Sequence, residues 1–473
     1  MDDTTLRRRE FLARTAAAAG LAGLSSLPAG TLIAEAARAQ ATGLPSPRNL
    51  PLDHVVVVMM ENRSFDHYLG WLEAADGSQH ETYTAPSGEA VPTRHASSLE
   101  AQWQGCGHPD PGHGWEAGRS QLQGGFLADG SGNDEFALTY YDEGEIEFLH
   151  AAAGEYTVYD RFFCSLLGPT WPNRYYKWSA QSGGRKDNSP PLETVGNQWE
   201  TIFDRAIGCG VSARYYHSDL PFSAVWGPRG VTWTRPLAEY YADCALGTLP
   251  SIAFVDPPFR DGGGGDGISA DEHPHGDVRL GQAWMADVVR AFVQSRGYRR
   301  GALFVVYDEW GGFFDHVRPP RVPDARASGD LDEDFGQMGF RIPAVAVSPF
   351  ARGGTVSHAQ LGFESILKLI TYRFGLGDLT VRDRDATNIG ETFDWELTDF
   401  EVPDLPDPEH VASRPCTLGG GDVLTQESAA AHVSDLAELE ALADRFGFPV
   451  GDGKVADLFT KPDSIRRAVS GGG

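Results

Sequence analysis

Positive charge is scarce in this chain. Its 39 Lys and Arg face 66 Asp and Glu, for a formal net charge of -27. That balance lacks the basic footprint that general nucleic-acid binding needs. It also disfavours electrostatic docking on anionic membranes. It does fit solubility outside the cytoplasm or in salty surroundings. Cysteine is sparse as well. Cys106, Cys164, Cys209, Cys244 and Cys416 form no CxxC pair, which argues against a cysteine zinc cluster. Five is an odd number, so at least one is unpaired within the chain, and the spacing does not give the pairing. Beyond the N-terminal region no apolar run reaches the length of a transmembrane helix, so no integral membrane segment is expected. No internal repeat is visible.

What is present is ordinary globular composition, with 41% hydrophobic and 11% aromatic residues over 473 positions. That is enough for a sizeable core in one large domain with insertions, or in two or three smaller ones. The N-terminus reads as a targeting segment. Arg7-Arg8-Arg9-Glu10-Phe11-Leu12 precedes an Ala/Gly/Leu-rich stretch from Ala16 to Leu27, and Ala37-Arg38-Ala39 offers small residues for cleavage. The pattern over 1–39 resembles a twin-arginine export signal, with the twin-arginine translocase as partner during export. The plain alternative is an amphipathic N-terminal helix. A linker over 40–50 follows, then a catalytic domain over 51–400. A C-terminal extension over 401–473 has one helix packing on that domain.

Apolar runs at Val55–Met60, Ser251–Val255, Ala302–Tyr307 and Ile342–Val347 read as core strands. Helical periodicity lies between and after them. Asp277 to Arg296 sets Leu280, Trp284, Val288 and Phe292 near one face, and Phe363 to Phe374 does the same with Ile366, Leu367 and Ile370. Strands alternating with helices predict an α/β fold, a mainly parallel sheet flanked by helices. Residues 78–132 are polar and Gly-rich, an excursion over the active face. Gly262 to Gly265 begins a flexible loop ending at Asp271-Glu272-His273-Pro274. A last amphipathic helix is expected over Val433–Phe446, and Gly471 to Gly473 as a disordered tail.

The chemistry gathers at strand ends. Val55–Met60 runs into Glu61-Asn62, and Leu303–Tyr307 runs into Asp308-Glu309 followed by Gly311 and Gly312. Two such strands side by side would converge four oxygen or amide ligands on one spot. Neighbours on an extended strand point to opposite faces, so both members of a pair can serve only where the strand ends and turns. This set suits Mg2+, Ca2+, Mn2+ or iron better than cysteine-type zinc. The competing reading of Asp308-Glu309 is a solvated acidic loop. A third signal is Gly168-Pro169-Thr170-Trp171-Pro172-Asn173-Arg174. Pro172 suits a first helical turn, with Thr170 near the N-cap. A helix N-terminus favours phosphate, and a hydroxyl there could attack phosphorus once a metal lowers its pKa. Asn173 or Arg174 could hold non-bridging oxygens. The plain reading of Thr170 is a cap. His113 and His273 sit in Gly/Pro-rich loops, where a proton donor for a leaving oxygen would be found. His217 and His316 are further candidates, set against surface or structural roles.

Taken together, Glu61-Asn62-Arg63-Ser64-Phe65-Asp66, Pro172-Asn173-Arg174, Asp308-Glu309, Gly312-Phe313-Phe314-Asp315-His316, Gly339-Phe340-Arg341-Ile342-Pro343 and Ser365-Ile366-Leu367-Lys368 resemble the bacterial phosphoesterase family over about residues 51 to 376. That family holds phospholipases C and respiratory-burst-inhibiting acid phosphatases. The resemblance implies an alkaline-phosphatase-like sandwich. It makes Glu61, Asn62, Asp308, Glu309 and Thr170 ligands of a metal ion (Ca, Mg, Mn, Zn or Fe), with Thr170 also the nucleophile. His113 and His273 would bind phosphate and protonate the leaving group. His217, as a substrate-binding residue, and Asp256 are weaker matches. Thr rather than Ser at position 170 favours phospholipase C-like cleavage of a diester over a broad acid phosphatase. The substrate would be a small phosphate ester or a phospholipid head group. Trp310-Gly311 departs from the Asn-Asp of many family phospholipases, and the C-terminal β-rich domains of the larger ones are absent. A secreted binding protein on the same fold, without catalysis, is the reading of another class.

Overall fold

The computed structural model describes residues 43–99, 102–191, 195–259, 269–413, 416 and 423–451, with side chains in the last segment from Ser434 onward. The expected export signal, most of the linker, the glycine run at 262–265 and the glycine tail lie outside the described residues. Residues 43–50 belong to a separate N-terminal unit, and the described residues from Pro51 onward form one compact unit.

Among the described residues the strands are β1 (His54–Met60), β2 (Thr82–Thr84), β3 (Ala90–Pro92), β4 (Arg94–His95), β5 (Thr139–Tyr140), β6 (Thr157–Tyr159), β7 (Ala213–His217), β8 (Thr234–Pro236), β9 (Ile252–Asp256), β10 (Gly301–Tyr307), β11 (Ala344–Val347) and β12 (Val356–Ser357). The pairs β2-β3 and β4-β5 make two small ribbons, and the other eight strands form one sheet in the order β12-β6-β11-β10-β1-β9-β7-β8. β10, β1, β9, β7 and β8 are mutually parallel, and β11 alone opposes the common direction. The expected α/β fold with a mainly parallel sheet is therefore found. Every residue of β10 is buried, and every residue of β1 except His54. Both faces of the sheet are thus covered, as unbroken runs of Val, Leu and Phe require.

Helices supply that cover. Val278–Gln294 buries Trp284, Val288 and Phe292 as its periodicity predicts, while Leu280 is only half-buried. Asp277 caps it by accepting the Arg279 N–H. Phe363–Phe374 buries Ile366, Leu367 and Ile370 and ends at Gly375 in the left-handed region. The other strands shift by a single residue at one or both ends, and two starts differ by more. β11 starts at Ala344, not Ile342, because Pro343 has no N–H to give to the ladder. The last helix starts at Val423, ten residues before the expected Val433.

The topology sets the position of the site. β7, β9, β1 and β10 are adjacent and parallel, so their carboxyl ends emerge side by side. His217 and Asp256 are the last residues of β7 and β9, and Glu61 and Asp308 are the first beyond β1 and β10. The crevice beyond such ends is where an open α/β sheet binds ligands.

Candidate active site

The β1-β10 ladder brings the two acidic pairs together. Met60 pairs with Tyr307, and Asp308 continues the ladder by donating its N–H to the Met60 carbonyl at 3.0 Å. Both chains then turn. Asn62 has φ 57°, in the left-handed region that Asn tolerates better than most residues. Gly311 has φ 62°, and a Cβ there would lie 2.1 Å from the Asn62 carbonyl oxygen, so the turn after Glu309 needs glycine.

Asn62, Asp308 and Glu309 each have one side-chain atom tied back and another left over, whereas both oxygens of Glu61 accept hydrogen bonds. Asp308 Oδ1 accepts from the Asn62 and Glu309 N–H groups, both at 2.8 Å. Glu309 Oε2 accepts from the Gly311 N–H at 2.7 Å. Glu61 Oε1 accepts from Arg174 Nε at 3.0 Å and from its Nη2, and Glu61 Oε2 accepts from the Thr170 hydroxyl at 3.3 Å. Asn62 Oδ1, Asp308 Oδ2 and Glu309 Oε1 are buried without a hydrogen-bond partner among the described residues. Burial, together with the neighbouring Asp308 carboxylate, holds the Glu61 and Glu309 carboxyls well above the usual carboxylate range. Buried oxygens with lone pairs unmet, gathered with mutually repelling acids, fit a hard or borderline cation. The residues present therefore suit the metal that the sequence resemblance implies.

Thr170 is the first residue of the Thr170–Ser179 helix, whose N-cap is Pro169. Pro172 sits in the first turn, where its missing N–H costs nothing. Asn173 and Arg174 depart from the expectation that they hold substrate oxygens. Asn173 Oδ1 accepts from Leu166 N–H at 2.9 Å, and Nδ2 donates to the carbonyls of Leu166, Gly168 and Pro169. Its amide is committed to shaping the loop before Thr170. Arg174 bridges Glu61 and Asp256, and Lys177 also donates to Asp256 at 3.1 Å. Asp256 thus anchors the two cations that lie beneath Glu61, and they hold its carboxyl below the usual range against burial.

Opposite lies a second cluster. Ligand-type atoms of Asp110, His113 and His273 all fall within 4.8 Å of one another. His113 Nδ1 lies 2.8 Å from the Pro111 carbonyl, and His273 Nδ1 hydrogen-bonds the Pro274 carbonyl. A carbonyl only accepts, so Nδ1 carries hydrogen in both rings and Nε2 serves the cluster. His113 Nε2 is 3.4 Å from Asn62 Nδ2, which joins this cluster to the cradle. Asp110 Oδ2 is 3.9 Å from His273 Nε2. Burial pushes the Asp110 carboxyl up to about 6. Chemically the cluster can hold a cation or give a proton. His217 is buried beside Asp256 in register, with its pKa pushed down to about 4 by burial, so its ring is neutral.

Asp110, Glu272 and the Cys106–Cys416 pair escape a reading by motif. Asp110 shares the His113 loop, and its place in the cluster comes from the fold that brings His273 beside it. Glu272 accepts from the hydroxyls of Tyr68 and Tyr307 and from Gln282 Nε2, and its carbonyl accepts from Arg63. That clamp fixes the loop bearing His273 to the turn after Asn62. A Cβ on Gly281 would meet Glu272 Cγ at 2.2 Å, so the same clamp requires glycine in the neighbouring helix. Cys106 and Cys416 form a disulfide across 310 residues, and Cys164, Cys209 and Cys244 are free.

The family model described as "Phosphoesterase family" matches residues 52–377 of this chain. Phospholipase C B of Mycobacterium tuberculosis is 30% identical, the match covering 86% of this chain and 88% of that protein. Non-specific phospholipase C6 of Arabidopsis thaliana is 30% identical over 71% of this chain and 70% of its own length. Non-hemolytic phospholipase C of Burkholderia pseudomallei is 26% identical over 85% of this chain and 67% of its own. A solved structure of a protein in the alkaline phosphatase superfamily from Vibrio parahaemolyticus aligns with TM-score 0.36 at 10% identity, covering 73% of this chain and 71% of that one. A likeness of that size carries no argument, and the sheet topology alone supports the α/β assignment.

Proposed function

The chain belongs to the phosphoesterase family, hydrolases that act on phosphoester bonds, and on that premise we propose that it cleaves phosphodiesters in the manner of a phospholipase C, through a phospho-threonine. The observation that carries this reading is the hydroxyl of Thr170, at a helix N-terminus and hydrogen-bonded to a carboxylate whose neighbours keep three buried oxygens unmet. Glu61, Asn62, Asp308, Glu309 and Thr170 would hold the metal ion. When bound, that ion supplies positive charge against the phosphoryl oxygens and lowers the pKa of the hydroxyl.

The protein's own groups then divide the work. The positive end of the helix dipole at Thr170 faces a phosphate monoester or diester favourably. Thr170 Oγ1 attacks phosphorus, and its proton leaves along the bond to Glu61. The bond from phosphorus to the leaving alcohol breaks, and an imidazolium at His273 or His113 gives its Nε2 proton to the departing oxygen. The histidine, now neutral, takes a proton from water as that water attacks the phospho-threonine, the P–Oγ1 bond breaks, Oγ1 recovers its proton from Glu61, and a phosphomonoester is released. Arg174, held by Asp256, keeps Glu61 in place. Export through a twin-arginine signal belongs to the same reading, and the Cys106–Cys416 disulfide suits an oxidising compartment.

The test compares p-nitrophenyl phosphorylcholine with p-nitrophenyl phosphate, with and without chelator. The diester should be the better substrate, and chelation should abolish turnover until a divalent ion is returned. Preference for the monoester would instead favour a broad acid phosphatase. Activity insensitive to exhaustive chelation would remove the metal from the mechanism.

A further inference from the structure

The C-terminal extension is fastened to the rim of the site. The Cys106–Cys416 disulfide ties it to the loop that carries Asp110 and His113. Before that bond it runs along the Val278–Gln294 helix and its cap: Arg290 pairs with Asp407 at 2.9 Å, His410 with Asp287 at 3.0 Å, and Ser413 Oγ donates to Asp277 at 2.8 Å. Beyond the bond comes the Val423–Phe446 helix, which buries Leu439, Leu442 and Ala443. On that helix Asp435 Oδ2 accepts from Asn188 Nδ2 at 2.8 Å. The same Asn188 amide accepts, through Oδ1, the N–H of Trp171 at 2.9 Å. One amide therefore joins the Asp435 carboxylate to the residue that follows Thr170.

Asp435 also lies close enough to His113 for the imidazole charge to act on it, and the other charges bearing on it are the acids Glu438 and Asp187. Among the described residues no Lys or Arg pairs with it. Half-buried, it stands between the helix of the proposed nucleophile and the histidine cluster. A carboxylate in that position repels the phosphate of any purely anionic substrate. It becomes favourable when the substrate brings its own positive charge a few bonds from phosphorus.

Resting on the phosphodiesterase reading above, we propose that Asp435 is a substrate-binding residue that receives the ammonium group of a zwitterionic phosphodiester, and so sets head-group specificity from the C-terminal extension. A choline or ethanolamine ester has the required chemistry: one phosphodiester anion and one cation on a two-carbon arm. The extension would thus discriminate between substrates while the sheet ends carry out the chemistry.

The test is Asp435→Asn, which keeps the side-chain shape and an oxygen for Asn188. Its kcat/KM is measured on p-nitrophenyl phosphorylcholine and on methyl p-nitrophenyl phosphate, which has the same diester without the cation. The first should fall about ten-fold, the scale of one lost charge contact, and the second should hold or rise, with the melting temperature unchanged. Asp435→Lys should widen that gap. An equal fall on both esters, or no fall on the choline ester, would overturn the proposal. Wild-type protein that turns over neither ester would overturn the phosphodiesterase reading, and this proposal with it.

Discussion

Two buried acid clusters stand a few residues apart on the same two chain segments, and they are finished differently. The first lies directly past β1 and β10 and comprises Glu61, Asp308 and Glu309. The second lies further along the same segments and comprises Asp66 and Asp315. In the second, every carboxylate oxygen has a partner. Asp66 Oδ1 accepts from Arg341 and the Ser78 N–H, each at 3.0 Å, and Oδ2 accepts from His316 through its N–H and its ring. Asp315 accepts from Arg341 Nε at 2.9 Å and from the Val317 N–H at 3.0 Å. Two acids meet one guanidinium and one imidazole, whose pKa the Asp66 carboxylate pushes up to about 9. In the first cluster Arg174 is shared between Glu61 and Asp256, and among the described residues Asp308 Oδ2 and Glu309 Oε1, with Asn62 Oδ1 beside them, have no hydrogen-bond partner. A fold that completes one buried acid cluster a few residues from another can satisfy carboxylates. The incomplete one is therefore where we propose that an ion binds.

The comparison can be broken at either cluster. The largest effect belongs to the incomplete one. Thr170→Ala should lower kcat by at least about 10^3-fold with little change in melting temperature, because it removes the proposed attacking atom and one weak hydrogen bond. Near-normal turnover of p-nitrophenyl phosphorylcholine would remove Thr170 from the role of nucleophile. The complete cluster should show the reverse. Arg341→Met strands Asp66 and Asp315 in the core and should cost about 3–5 kcal/mol of stability, read as a fall in denaturation midpoint. Correctly folded molecules of this variant should keep their turnover. A stable variant with damaged turnover would show that the two clusters are not functionally separate.

The smallest effect is the sharpest discriminator. The Glu61 and Glu309 carboxyls are held above their ordinary 4.5, so the folded, metal-stripped chain binds protons more tightly than the unfolded one. The stability they contribute is complete below pH 4.5 and is lost as pH rises through their folded values. Metal-stripped protein should weaken across that range. Glu309→Gln should flatten the slope and raise stability at neutral pH by an amount on the order of 1 kcal/mol, while lowering activity when metal is supplied. A stripped variant no more stable than the stripped wild type would mean that the three acids do not repel one another.

The strand ends were legible because a buried parallel strand needs an unbroken apolar run, so an acid after Met60 or Tyr307 announces a terminus. Gly311 was legible as a turn, although its close approach to Asn62 was not. Thr170 could be read from Pro172, which suits the first turn of a helix. Asn173 and Arg174 misled, because their partners are loop carbonyls and an aspartate on β9, and nothing in the local pattern names those. Asp110, Glu272 and the Cys106–Cys416 pair were hidden for the same reason. Each acquires its meaning only from residues brought near by the fold, across 310 positions in the case of the disulfide. The early start of the last helix at Val423 was missed because its first turns lack the periodicity of Leu439, Leu442 and Ala443.

The most direct measurement is the metal content of purified protein, by mass spectrometry of the elements, for wild type, Asp308→Ala and Asp66→Asn. The incomplete cluster should hold its ion in wild type and in Asp66→Asn and lose it in Asp308→Ala. Equal metal in Asp308→Ala and wild type, or loss in Asp66→Asn alone, would contradict the assignment of the unmet oxygens of Asn62, Asp308 and Glu309 to a metal ion.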